Sequence, residues 1–200
     1  MNAQSEESDE QSRTARAKRL PITTGRLVLR LPEPEDAKPF AGVANNMAIA
    51  SQMSSLPHPY SEKNAESWIA ATRANADPQK ISLVITLKDG TIAGAASVRS
   101  NDNAEPEITY FLGQAHWGKG FATEAAQAII DHVFSVADIE RIIGRCGSTN
   151  SGSRRVLEKC GFQFSCTGMC NCGALNASVP SDDFVLERSV WVSLKRWGAA

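Results

Sequence analysis

The chain has 200 residues, 42% of them hydrophobic, and its 21 basic and 22 acidic side chains leave a net charge of -1. That length buries one substantial core and calls for no second domain. Charges that nearly cancel do not point to a nonspecific electrostatic grip on nucleic acid or on an anionic membrane, so partners are expected to be recognised locally.

Residues 1 to about 20 are polar, with Glu6, Glu7, Asp9 and Glu10 ahead of Arg13, Arg16, Lys18 and Arg19. This composition predicts a disordered tail and leaves 21–200 as a single folded domain. The tail holds no signal-like apolar stretch and no run elsewhere is long enough to cross a bilayer, so a cytoplasmic location is expected.

Hydrophobic periodicity then predicts a strand over 26–31, a helical region over 35–46, and a helix over 61–75 with Ser61 as its cap. Strands over 81–87 and 91–98 form a hairpin around Lys88-Asp89-Gly90, and a further strand covers 107–112. A helix over 120–136, a short strand over 141–146 and a helix over 151–159 follow. Two strands, 162–175 and 183–195, close the chain. The fold class is a mixed α/β sheet, in which the strand-helix-strand unit is parallel and right-handed and the flanking hairpins are antiparallel.

The segment from Gln114 to Glu124, Gln-Ala-His-Trp-Gly-Lys-Gly-Phe-Ala-Thr-Glu, joins the strand over 107–112 to the helix over 120–136. Gly118 and Gly120 let the main chain curl and approach a ligand closely, and the first-turn N–H groups of the helix have no intrahelical partner. With the helix dipole, such a turn suits a pyrophosphate. A Walker loop is excluded because Lys119 is followed by Gly120 rather than Ser or Thr, and Gly118, Gly120 and Ala122 lack the dinucleotide spacing.

Trp117-Gly-Lys-Gly120-Phe-Ala122 resembles the Gln/Arg-x-x-Gly-x-Gly/Ala signature of the GNAT N-acetyltransferases, with Trp117 departing at the first position. Trp-Gly-Lys-Gly-Phe-Ala-Thr-Glu-Ala is similar to the form used by the RimJ/RimL-type branch. Two further blocks resemble that branch in order: Thr24-Gly-Arg-Leu-Val-Leu-Arg30 with Pro34-Glu-Asp36-Ala, and Asn150-Ser-Gly-Ser153-Arg-Arg-Val-Leu-Glu-Lys159-Cys-Gly161-Phe162. The resemblance covers roughly residues 24 to 197. It implies a GNAT-like sheet, mostly antiparallel and flanked by helices, whose parallel pair splays apart to admit the pantetheine arm of acetyl-CoA.

What the resemblance implies for the site is specific. Acetyl-CoA is the co-substrate, and no metal is expected. Its pyrophosphate rests on Trp117, Gly118, Lys119, Gly120, Phe121, Ala122 and Thr123, and backbone N–H groups near Phe111 and Leu112 serve the oxyanion. Asn150 holds the pantetheine amide, and Lys119 and Arg154 face CoA phosphates, with a solvated side chain as the bland reading of either. Glu107 is the candidate base, with Glu105 as competitor and a solvated strand end as the bland reading; Tyr110 relays a proton through water. The tyrosine many family members use as general acid is replaced by Leu157, so Ser153, or a water it holds, stands in. By themselves, Asn150 and Ser153 also read as a helix start, and Gly161 as a left-handed cap that folds Phe162 onto the core.

Cys166, Cys170 and Cys172 share one face of a regular strand by parity. Zinc sites take four ligands with paired spacing, which is absent, so reduced thiols are expected. Val190, Trp191, Val192 and Leu194, read as strand, offer pairing to a second subunit in a homodimer or cover for the sheet's own edge, and Trp197 extends either contact. The function expected is acetyl transfer to a primary amine, either a protein N-terminus or a small molecule. Alternatives are a different acyl donor and a non-catalytic acyl-CoA-binding module. The loops 52–60 and 174–182 are expected to choose the acceptor.

Overall fold

In the computed structural model, which describes residues 20–75, 77, 80–100 and 105–198, eight strands share one sheet. They are β1 (Ile22–Thr23), β2 (Leu27–Arg30), β3 (Ile81–Leu87), β4 (Ile92–Arg99), β5 (Glu107–Leu112), β6 (Arg141–Gly147), β7 (Gln163–Cys172) and β8 (Ala177–Glu187). Their spatial order is β1-β2-β3-β4-β5-β6-β8-β7, and only β5 and β6 run parallel. The mixed, mostly antiparallel sheet is the architecture expected. The tail expected over residues 1 to about 20 falls, except for Leu20, outside the described residues.

Six helices cover the sheet: α1 (Ala37–Ala44), α2 (Met47–Ala50), α3 (Glu62–Ala74), α4 (Phe121–Val136), α5 (Ser151–Lys159) and α6 (Arg188–Gly198). Among the described residues no helix is long and apolar enough to cross a membrane. Alternation along the strands divides the core in two. Ile81, Leu83, Ile85, Ile108 and Leu112 meet Ile129, Val133 and Phe134 of α4 on one face, whereas Val84, Ala95 and Phe111 meet Phe40 of α1 and Ile69 of α3 on the other. A large side chain that is fully buried here, such as Phe40, Leu83, Ile85 or Ile129, contributes about 1.5 to 3 kcal/mol.

Local sequence explains several boundaries. Ser61 and Asn64 form a reciprocal box at the start of α3: the Ser61 hydroxyl accepts from Asn64 N at 3.2 Å, and Asn64 Oδ1 accepts from Ser61 N at 2.8 Å. At the end of α5, Gly161 has φ 92 and donates to Glu158 O, while Phe162 donates to Leu157 O and is buried. That is the left-handed cap expected there.

The C-terminus departs from expectation. The strand expected over 183–195 ends at Glu187, and Val190, Trp191, Val192 and Leu194 lie on helix α6. The Arg188 guanidinium donates to the carbonyls of Phe134, Ala137 and Ile139 at 2.9, 2.6 and 2.7 Å, satisfying groups at and beyond the end of α4. Trp191 stacks on Phe134 with centroids 5.1 Å apart and donates to Asp131 at 2.7 Å. These contacts turn the chain across α4, and strand pairing of 190–194 with a second subunit falls with the strand. The expected acceptor loop over 174–182 is also mostly strand, because β7 and β8 meet at the short turn Gly173–Leu175 and Asn176, which has φ 47.

The feature that positions the site is the divergence of β5 and β6. Their ladder holds only Glu107 opposite Ile143 and Ile108 opposite Gly144, with Ile143 N donating to Pro106 O at 2.8 Å. From Thr109 onward β5 keeps a partner only on its β4 side. There β4 carries an extra residue, since Ile85 faces Gly94 but Thr86 faces Ile92. A side chain on Gly94 would collide with the Phe111 carbonyl oxygen and stand 2.9 Å from Leu112 Cα, so only glycine admits this close approach.

Candidate active site

The chain leaves β5 through a short 3-10 turn (Gln114–His116) and reaches Trp117, Gly118, Lys119 and Gly120, all exposed. Gly118 and Gly120 have φ 73 and 78, the left-handed region a side chain resists. The first intrahelical bond of α4 runs from Glu124 N to Gly120 O at 3.1 Å, and no side chain caps the helix. The N–H groups of Phe121, Ala122 and Thr123 therefore project from the helix start beside the exposed turn. Free N–H groups and the positive end of the dipole at one exposed turn suit an anion.

A brace under this turn escaped the sequence reading. Glu124 accepts from the Thr24 hydroxyl at 2.6 Å, Arg26 N at 2.8 Å and Arg26 Nε at 2.7 Å; Arg26 Nη1 donates to Lys119 O at 2.8 Å, and its guanidinium lies over the Phe121 ring. Burial alone would lift the Glu124 carboxyl, but these donors hold it below its usual range. The signal was present in the quoted blocks, which contain Thr24, Arg26 and Glu124, though nothing in the order of the blocks says that they meet.

Trp117, the departure from the family signature, is 47% exposed, yet its indole Nε1 donates to Leu112 O at 2.7 Å. It ties the turn to the last residue of β5. Gly113 N donates to Ala93 O at 2.8 Å, and N–H direction alternates along a strand, so Leu112 N–H faces the splay and Phe111 N–H faces β4. Of the two expected oxyanion donors, the backbone aims Leu112 at the gap.

Tyr110 and Ser153 meet across that gap. Tyr110 Oη stands 2.9 Å from Ser153 Oγ and 3.1 Å from Ser153 O. Burial pushes the Tyr110 phenol well above its usual range, and the Ser153 hydrogen bond offsets this only in part. Asn150 caps α5, its Oδ1 accepting from Ser153 N at 3.0 Å, so the helix-start reading holds and the Asn150 Nδ2 donor remains for other use. Leu157 is 1% exposed and fills the space over Gly144, a packing position. Arg154 does not turn to the glycine turn: its guanidinium pairs with Asp182, a carboxylate only 3% exposed that needs a partner, and lies over the Phe184 ring.

Glu107 lies on the opposite face of the sheet from Tyr110, by the parity of β5. Burial raises its pKa, Arg145 opposes the rise with Nη1 3.6 Å from Glu107 Oε2, and Asp183 adds to it. Glu105, the competitor, is held in an ion pair by Arg141. Burial pushes the Cys160 thiol up to about 12 and raises Cys146 as well, which disfavours their thiolates. Cys172 Sγ lies 3.5 Å from Ser51 O and 3.7 Å from Ala50 O, under the end of α2. Among the described residues no group of three or more His, Cys, Asp or Glu is placed to hold a metal ion.

The family model for the acetyltransferase (GNAT) domain matches residues 26–163. The chain is 29% identical over 145 residues to the uncharacterised N-acetyltransferase p20 of Bacillus licheniformis, covering 71% of this chain and 82% of that protein. It is 28% identical over 145 residues to a putative ribosomal N-acetyltransferase, YdaF, of Bacillus subtilis, covering 68% and 77%. In fold it is similar to RimJ of Mycobacterium smegmatis, solved in complex with CoA-disulfide, with a TM-score of 0.72 at 21% identity over 85% of this chain and 89% of that one.

Proposed function

The chain belongs to the acetyltransferase (GNAT) domain family, and from that premise we propose that it transfers the acetyl group of acetyl-CoA directly to a primary amine. The observation that carries this reading is the splay of β5 and β6, which opens between the glycine turn and the Tyr110–Ser153 pair. The pyrophosphate rests on the turn from Trp117 to Thr123, with Lys119 beside it, and Asn150 Nδ2 donates to the pantetheine. The thioester then lies at Leu112 N–H.

The amine approaches from the Glu107 face. Its nitrogen attacks the thioester carbonyl, its proton passes through water to Glu107, and Leu112 N–H stabilises the oxyanion. Collapse breaks the carbon-sulfur bond and releases the thiolate. A thiol has a reference pKa of about 8.5, well below that of the buried phenol, so Tyr110 keeps its proton and donates a hydrogen bond to the sulfur while solvent completes the thiol. Tyr110, oriented by Ser153, thus supplies from β5 the phenol that Leu157 lacks. This counts against a non-catalytic module.

The acceptor we propose is a protein N-terminal α-amine, whose reference pKa of about 7.7 to 8.0 asks far less of a base than the 10.4 or so of lysine. The name of the Bacillus subtilis relative, a putative ribosomal N-acetyltransferase, favours a macromolecular acceptor over a small amine. Because the donor is a cytoplasmic metabolite, the reaction belongs in the cytoplasm. Thiol release from acetyl-CoA, followed with a panel of N-terminal peptides, blocked lysine peptides and small amines, tests the assignment. Turnover confined to small amines replaces the protein acceptor, and turnover with none of them, despite acetyl-CoA binding, leaves a binding module.

A further inference from the structure

The floor of the acceptor face holds, beside Glu107, two charged residues that the mechanism above leaves unused, Arg145 and Asp183. Arg145 on β6 sits between two carboxylates and treats them unequally. Asp183 on β8, its cross-strand partner, receives two hydrogen bonds, from Nε at 2.7 Å and Nη2 at 3.0 Å. Glu107 on β5 receives only a loose ion pair at 3.6 Å. The fork that Asp183 occupies fixes the plane of the guanidinium, and in that orientation Nη1 stays 3.6 Å from Glu107 Oε2.

We propose that Asp183 is a positioning residue: by gripping Arg145 it keeps the guanidinium from closing on Glu107, and so keeps Glu107 free to take the proton of the incoming amine. This rests on the reading of Glu107 as the base. Without Asp183, Arg145 swings the short distance to Glu107 and binds it through both oxygens, and a carboxylate so held is a poor base. The other groups around Glu107 are already committed. Arg99, its cross-strand partner on β4, donates to Ser82 Oγ at 2.9 Å, and Arg141 on β6 is paired with Glu105 and lies 3.8 Å from Glu187. On β7, Cys170 lies within electrostatic reach of Arg145. Burial raises Glu107, Arg145 lowers it, and Asp183 adds to the rise.

The test is the titration of the Glu107 carboxyl by carbon NMR, run beside the pH profile of kcat/KM, in the wild type, Asp183→Asn, Arg145→Met and the double variant. Asp183→Asn preserves shape, and circular dichroism checks that each variant is folded. The Glu107 midpoint is expected to fall by about one unit or more in Asp183→Asn. Adding Asp183→Asn to Arg145→Met is expected to lower it by the direct repulsion of Asp183 alone, a clearly smaller fall than in the presence of the arginine. Asp183→Glu, which keeps the carboxylate, is expected to restore most of the wild-type midpoint. A midpoint unmoved by Asp183→Asn overturns the proposal, and so does an equal fall with and without Arg145, which reports direct repulsion. A midpoint that falls while the rate profile stays in place supports the positioning and removes Glu107 as the base.

Discussion

Tyr110 Oη stands 2.9 Å from Ser153 Oγ, across the gap where β5 and β6 have parted. Two hydroxyls so placed share a proton network, which in the proposed reaction serves the leaving sulfur. Tyr110→Phe removes one hydrogen bond to a developing thiolate and is expected to lower kcat by about 10- to 100-fold. The KM for acetyl-CoA is expected to change little. Ser153→Ala acts through the same phenol, so steady-state kinetics of the double variant should show far less than the product of the two single losses.

Glu107 must be deprotonated to act. Burial lifts its pKa above the ordinary carboxylate value, so activity is expected to rise with pH through that raised value, not at the usual carboxylate position. Glu107→Gln should remove this acid limb and lower kcat/KM by about 100-fold at neutral pH. Above about pH 8 an α-amine acceptor is already largely deprotonated, and the loss should shrink. A pH-rate profile of both proteins with one peptide acceptor checks the shape.

Trp117 ties the glycine turn to Leu112 by its indole N–H. Trp117→Phe keeps the ring and loses the 2.7 Å hydrogen bond. The expected cost is about 1 kcal/mol, read as a roughly fivefold rise in the KM for acetyl-CoA with kcat nearly unchanged. A matched loss in kcat alone would place the contact in the chemistry instead of in cofactor binding.

The Asp36 carboxylate accepts from Arg30 at 2.7 and 2.8 Å and from Glu33 N at 2.7 Å, beside the entry to α1. Burial alone would raise Asp36, and these donors overcome it and hold the carboxyl below its usual range. A pKa lowered on folding gives stability that is present above the unfolded value and lost as pH falls through the folded one. Asp36→Asn is therefore expected to cost about 2 kcal/mol at pH 7, with the difference from wild type shrinking below about pH 4. Urea unfolding of both proteins at pH 7 and pH 3 measures it.

Much of this was legible because local rules and tertiary structure agree. Ser61 with Asn64, the apolar spacing of Ile129, Ile130, Val133 and Phe134, and Gly161 before Phe162 each act within one element, so spacing alone carries them. Residues 188–198 failed for the opposite reason. Val190, Trp191 and Val192 favour strand, and what overrides them is Arg188 on the carbonyls of Phe134, Ala137 and Ile139, with Trp191 on Phe134, contacts some fifty residues apart in sequence. In the site, the glycine turn and the Asn150 cap are local and were readable. Trp117 reaching Leu112, Arg154 claimed by Asp182, and Arg145 shared by Asp183 and Glu107 depend on which strands are neighbours, and no spacing encodes that.

The central claim is that the turn from Trp117 to Thr123 holds acetyl-CoA at the splay, and calorimetric titration of the purified protein with acetyl-CoA tests it most directly. Saturable binding at one site per chain is expected, weakened at least tenfold in Gly120→Val, whose side chain opposes the φ of 78 and blocks the approach of a phosphate. Melting temperatures of the two proteins without ligand, measured alongside, separate this loss from unfolding. Wild-type protein that takes up no acetyl-CoA, or a folded Gly120→Val variant that binds it equally well, would contradict the account.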